Sequence, residues 1–280
     1  MRESNSMRPR PYIGVTGARF AAEVVRTAET FETLHRTFRP LDLPDFIDHV
    51  PMMGILVSSG TLRGEPTQNR RYPDIEYVPS LLSHSGNSAF ATVHYTTTEQ
   101  NTLFQQLQHI FSDINPEYFP HGLGVQLNIA WPRPDQVRRI KDEFPYLSII
   151  FQANAKVLGS GTPNQVAERI ANEYGRHIEH VFIDPSAGKG EGFNVGQSLE
   201  MYALLELHLP DAMIGFAGGL SADNVKERIR DIRESLGTAA FSIDAEGQLR
   251  DKLSEFYGDD LFNQGKADEY INEAYFAFMK

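Results

Sequence analysis

Short apolar runs recur along the chain with amphipathic stretches between them. The runs are Tyr12–Thr16, Met52–Ser58, Ala89–Tyr95, Gly124–Ala130, Leu147–Gln152, His180–Asp184, Ala212–Ala217 and Ala239–Asp244, each about the length of one strand. Most begin without polar alternation, the pattern of parallel strands covered on both faces. Between them, Ala18–Phe38 carries Phe20, Val24, Val25, Ala28, Phe31 and Leu34 at helical spacing. Glu99–Phe111 repeats the stripe with Leu103, Phe104, Leu107, Ile110 and Phe111. Pro134–Phe144, Pro163–Tyr174, Gln197–Leu207, Ser221–Leu236 and Gly247–Tyr257 read as further helices, and Thr162-Pro163 and Ser221-Ala222-Asp223-Asn224 supply helix starts.

Strand–helix alternation predicts an α/β protein with a parallel sheet and right-handed crossovers. Eight such units predict a closed (β/α)8 TIM barrel forming a single domain, with an open doubly wound sheet as the alternative. Residues 1–11 read as an N-terminal extension and residues 12–258 as the barrel. Residues 259–280 read as a helix (Tyr270, Ile271, Ala274, Tyr275) that packs on the barrel or meets a second copy in a homo-oligomer. Gly60–Ser85, with Pro66 and Pro73, reads as an elaborated loop on the barrel's top face. Its Arg63, Arg70 and Arg71 are either a lid over an anionic ligand or a solvated charge cluster.

Composition narrows the chemistry. The 280 residues include no cysteine, which excludes disulfides, thiolate metal sites and a cysteine nucleophile. A net charge of −11 opposes nucleic-acid binding. No apolar run is long enough to cross a membrane, and the N-terminal residues lack a signal peptide's apolar core, so the cytoplasm is the expected compartment.

Polar residues fall at the strand ends. Gln126 and Asn128, Gln152 and Asn154, Asp184, and Ser242 and Asp244 lie two apart or at the last position of their runs, so each set shares one strand face. In a barrel those faces converge at the carboxyl ends, where His94 joins them. Asp184, Asp244 and His94 are then the candidate acid/base groups, and Gln126, Asn128, Gln152, Asn154 and Arg63 the candidate ligand contacts. The alternative for each polar residue is a turn or helix cap. The histidine spacing gives no metal motif, and no metal or cofactor is expected. Gly188, Gly190, Gly218, Gly219 and Gly247 follow the sixth, seventh and eighth runs, where barrel loops hold phosphate on backbone amides.

These residues resemble phosphoribosylanthranilate isomerase, a ribulose-phosphate-binding barrel. The resemblance rests on Asp184 with Gly188-Lys189-Gly190 and Phe193-Asn194, on Ala217-Gly218-Gly219-Leu220 with Asn224-Val225, on Gln126-Leu127-Asn128, and on Asp244-Ala245-Glu246-Gly247 with Arg250-Asp251. It covers Gly124–Asp251 best. It implies a barrel fold, a phosphorylated small-molecule partner and an acid role for Asp184. The family's strand-one cysteine base has no counterpart in Tyr12-Ile13-Gly14-Val15-Thr16-Gly17. An aldose–ketose isomerase or related acid/base enzyme is the leading expectation. A non-catalytic phosphometabolite-binding barrel and a metal-dependent lyase are the alternatives.

Overall fold

A computed structural model of the chain describes residues 8–38, 48–65, 69–86, 88–186, 195–237, 239–256 and 258–279. Eight strands, β1 (Tyr12–Thr16), β2 (Val50–Ser58), β3 (Phe90–Thr96), β4 (Leu123–Leu127), β5 (Leu147–Asn154), β6 (His180–Asp184), β7 (Met213–Ala217) and β8 (Ser242–Ala245), pair in parallel and in chain order. β1 meets β8 through Gly14 beside Asp244, and the barrel is closed.

The helices are α1 (Ala21–Phe38), α2 (Ser59–Leu62), α3 (Val78–Gly86), α4 (Leu103–Phe111), α5 (Pro134–Glu143), α6 (Ala155–Leu158), α7 (Pro163–Tyr174), α8 (Val195–His208), α9 (Val225–Leu236) and α10 (Gln264–Phe278). α2 and α6 are single turns; seven of the others cross from one barrel strand to the next, and α10 follows β8. Local chemistry sets their starts. Thr162 accepts from Gln165 N while the Gln165 side chain accepts from Thr162 N, and Pro163 occupies the first turn, where its missing N–H costs nothing.

Two apolar layers result from strand alternation. Outward residues such as Val93, Val125, Phe151, Ile183 and Phe216 pack against the helices, while Tyr12, Val50, Met52, Phe90, Ile150, Phe182 and Ala217 form a separate plug inside the barrel. The plug pairs large with small: a Cβ on Gly215 would lie 2.4 Å from the Phe182 ring, and one on Gly124 2.6 Å from Phe90. His180 also points into this interior, with its ring stacked on Phe90 and tilted against Tyr12.

The structure corrects two sequence readings. The Gly60–Ser85 segment contains α3, the second crossover helix, whose Val78, Leu81 and Leu82 are buried; Pro79, three serines and Gly86 disguise it as a loop. Conversely, Gly247–Tyr257 is not a helix over its described residues. A short 3-10 turn, Gly247–Leu249, leads into an antiparallel hairpin of β9 (Arg250–Lys252) and β10 (Asp260–Phe262). Within this segment Leu249 is buried while Leu253 and Phe256 are exposed. The eighth outer helix is therefore α10, which packs between α9 and α1.

The hairpin is pinned by buried charge. Asp260 accepts from Arg71 Nε at 2.9 Å and from Arg250 at 3.2 Å, and Arg250 also donates to Gly17 O at 2.8 Å. Removing one member of such a cluster strands the others without solvent. Asp260→Asn should therefore lower stability by about 3–5 kcal/mol, read as a shifted urea midpoint; a loss below about 1 kcal/mol would show the cluster to be incidental.

Burial, aided by the charge of Arg8, pushes the His180 imidazole down to about 3. The unfolded chain protonates this group near 6.5 and the native state does not, so stability falls as pH drops from 6.5 toward 3. The slope from this site is about 1.4 kcal/mol per pH unit. His180→Leu should lose that part of the acid sensitivity in urea unfolding between pH 7 and pH 5; an unchanged pH slope would count against it.

Candidate functional site

The carboxyl ends of β3, β4, β5, β6 and β8 each deliver one inward polar side chain to a cup at the barrel mouth. His94, Gln126, Gln152, Asp184 and Asp244 line it, joined by Ser186, Glu246 and the turns Ala217–Leu220 and Gly247. All five strand residues are buried. They sit above the apolar plug, and strand alternation alone places them on one face.

Asp184 accepts from Gln152 Nε2 at 2.7 Å, from Ser186 Oγ at 2.7 Å and from Ser186 N at 3.1 Å. Gln126 Nε2 donates in turn to Gln152 Oε1 at 3.3 Å. Across the cup, Thr16 Oγ1 donates to Asp244 Oδ1 at 3.0 Å, and Asp244 Oδ2 lies 3.4 Å from His94 Nε2. This second carboxylate needs missing side chains. A Cβ on Gly14 would lie 2.7 Å from Asp244 Oδ1, and one on Gly54 would lie 2.2 Å from Thr16 Oγ1.

Burial pushes His94 down, but contact with the Asp244 carboxylate and the charge of Glu246 outweigh it, and the net shift is upward from 6.5. Glu246 does not face the cup as an isolated charge, because Arg71 Nη1 lies 3.1 Å from its carboxylate. Arg71 is thus a buried structural cation rather than part of a solvated cluster.

Gly218 and Gly219 turn the chain with φ of +106° and +66°, a left-handed path that favours glycine. A Cβ on Gly218 would meet Asp184 Oδ1 and Ser186 Oγ at 3.0 Å. Asn224 fixes this turn by donating to Gly219 O at 2.8 Å and accepting from Ser221 N at 3.0 Å.

The remaining candidates divide. Gly247 lines the cup with Gly218 and Gly219, whereas Gly188 and Gly190 lie outside the described residues. Asn128 is exposed and lies beyond the end of β4 at Leu127, so the two-residue period no longer carries it inward. Asn154 caps α6 through Lys156 N and Val157 N, the turn-cap alternative. Arg63 is exposed and paired with Glu65 and Glu99. Ser242 lies lower in the barrel, accepting from Tyr12 N. None of these four lines the cup. Trp131 packs on Tyr174 with the Arg169 guanidinium 3.8 Å from its ring. Thr16 and Ser186 are partners that the polar pattern did not single out. Thr16 was accessible to the same rule, being the last residue of its strand.

Fold and cup together define a (β/α)8 barrel with a polar site at the carboxyl ends of its strands. The chain is similar in structure to phosphoribosyl anthranilate isomerase from Thermus thermophilus, with a TM-score of 0.57, 10% identity, and coverage of 96% of this chain and 100% of that one. The enzyme of the same name from Thermotoga maritima gives a TM-score of 0.56 at 13% identity, covering 94% and 98%. A chitinase domain from Pyrococcus furiosus gives 0.55 at 11% identity, covering 98% and 99%. The chain is thus a phosphoribosylanthranilate isomerase-like barrel in fold. The chitinase likeness means that this similarity carries architecture and not chemistry. No protein-family profile and no curated protein sequence matches the chain.

Because Asp244 and Glu246 favour the imidazolium, the pairing stabilises the fold below pH 6.5, and that contribution is lost as pH rises through the elevated native value. Asp244→Asn leaves burial dominant, and NMR titration of His94 should then give a value below 6.5. A value still above 6.5 would assign the shift to another group.

Proposed function

We propose that the cup is an acid/base site that interconverts an aldose and a ketose, or shifts a proton in a closely related hydroxy-carbonyl pair, on a small phosphorylated molecule. The observation that carries this reading is the pair of buried acid/base centres in one cup, Asp184 on β6 and the His94–Asp244 couple on β3 and β8. In such a step a base takes the proton from the carbon beside the carbonyl while an acid protonates the carbonyl oxygen. The protonated base then gives a proton to the former carbonyl carbon of the resulting enediol, while the other group takes the adjacent hydroxyl's proton as the new carbonyl forms. Asp184 serves as one partner, and His94, held by Asp244, as the other. Gly218, Gly219 and Gly247 are the candidates for backbone contact with phosphate, and the Arg71 pairing of Glu246 lessens the repulsion there.

A second reading, a phosphometabolite-binding barrel without turnover, is favoured by Gly14 on β1 and Asn128 beyond β4, neither of which can serve as a base. For a metal-dependent lyase, no group of three or more His, Asp or Glu set to hold an ion occurs among the described residues.

Solvent-deuterium exchange separates the first two readings. Ribose 5-phosphate, ribulose 5-phosphate and the corresponding triose and hexose phosphates, incubated with the protein in D2O, should lose the proton beside the carbonyl, read by proton NMR. Asp184→Asn and His94→Gln should each slow that exchange by ~10²–10⁴-fold. Binding without exchange would favour the second reading, and full exchange in Asp184→Asn would remove Asp184 from the chemistry.

A further inference from the structure

Two buried polar atoms of the cup make no hydrogen bond among the described residues: Nε2 of His94, which lies 3.4 Å from Asp244 Oδ2 as a charge contact without hydrogen-bond geometry, and Oε1 of Gln126. Their residues are register partners on adjacent strands and line the same cavity. Gln126 is 0% exposed and His94 5%, so bulk water does not satisfy these atoms cheaply. Each buried orphan costs on the order of 1–3 kcal/mol until something meets it.

The direction of the Gln126 amide is decided two strands away. Asp184 Oδ2 accepts from the amino group of Gln152 at 2.7 Å. The Gln152 oxygen must then face Gln126 and take its amino group. What Gln126 has left for the cup is its oxygen, an acceptor. His94 supplies the opposite polarity. The Asp244 carboxylate 3.4 Å away, outside hydrogen-bond geometry, raises the imidazole from its ordinary value of 6.5, so at pH 6.5 Nε2 carries a proton that Asp244 does not take up.

A ligand group that satisfies both atoms must donate to one and accept from the other. A hydroxyl does both. Carboxylate and phosphate dianion only accept, and an ammonium only donates. We propose that the floor of the cup is a hydroxyl subsite, in which a ligand C–OH donates to Gln126 Oε1 and accepts from the Nε2–H of His94. The cavity volume of about 40 Å³ suits this assignment. A water needs roughly 10–15 Å³ of such space, so the floor has room for a C–OH unit. The uncharged, hydroxyl-bearing end of the ligand enters the floor, and an anionic group stays toward the glycine turns. This inference rests on the cup being the ligand site and not on its turning the ligand over.

Three small probes of different polarity test it in the intact chain. Glycerol, formate and methylammonium are titrated separately at pH 6.5 into protein carrying 15N in its histidine rings and glutamine side chains. Glycerol should give a saturable shift of both the His94 Nε2 and the Gln126 amide signals, with formate and methylammonium at least tenfold weaker. Gln126→Met should weaken the glycerol response at His94 at least tenfold; should that variant fail to fold, the three-probe comparison in the native chain decides alone. A stronger response to formate would make the floor an anion site, a stronger response to methylammonium a cation site, and no response to any probe would leave the two atoms to water. Each of these outcomes overturns the hydroxyl assignment. A glycerol response in a protein that exchanges no deuterium into sugar phosphates would sink the acid/base reading and leave the hydroxyl subsite standing.

Discussion

A closed parallel barrel has one interior, and every second residue of all eight strands must share it. Along this axis the chain separates what can be buried alone from what cannot. The lower part is filled with Tyr12, Met52, Phe90, Ile150 and Phe182, with Gly124 and Gly215 opposite the two phenylalanine rings. Amide and carboxylate groups placed at that depth would each cost several kcal/mol without partners. They are confined instead to the carboxyl ends, where they can satisfy one another: Gln126 to Gln152, Gln152 to Asp184, Thr16 to Asp244. The polar belt thus depends on strand register. A shift of one residue on β6, for example, would exchange Asp184 with the helix-facing Ile183.

That periodicity is why much of the cup was legible in the sequence. Asp184 ends an apolar run, Asp244 lies two residues after Ser242 on the same strand face, and Gln126 and Gln152 lie at inward positions of theirs, so strand rules alone bring them together. The rules fail where a strand ends sooner than its apolar pattern. Ile129 and Ala130 extend the run past Leu127, but β4 ends there and Asn128 is exposed. They fail also where a polar residue has a local use, as Asn154 has at the start of α6. The second crossover helix was hidden because nine residues beginning Val78-Pro79 offer too few apolar positions for a helical stripe.

The contacts beyond sequence reading are those between distant segments. Arg71 and Asp260 are 189 positions apart, and nothing local to either distinguishes a buried partner from a solvated charge. The same limit applies to Gly14 and Gly54. Each reads as an ordinary strand glycine, yet the space each leaves is filled by a side chain from the neighbouring strand, Asp244 in one case and Thr16 in the other.

The charges of the cup are settled one by one. Three carboxylates meet there in a chain whose net charge is already −11, an arrangement hostile to an anionic ligand if the field were uniform. Each carboxylate has its own local partner: Ser186 and Gln152 for Asp184, Thr16 and His94 for Asp244, Arg71 for Glu246. Arg71 reaches Glu246 from the connection between β2 and α3, and the same guanidinium grips Asp260 on the hairpin beyond β8. The contact that seats two top-face segments is therefore also the one that offsets the Glu246 charge. Because the strongest fields are cancelled within the protein, selection at the floor of the cup falls to the polarity of individual hydrogen bonds, and there the fixed order from Asp184 through Gln152 to Gln126 determines what can be met.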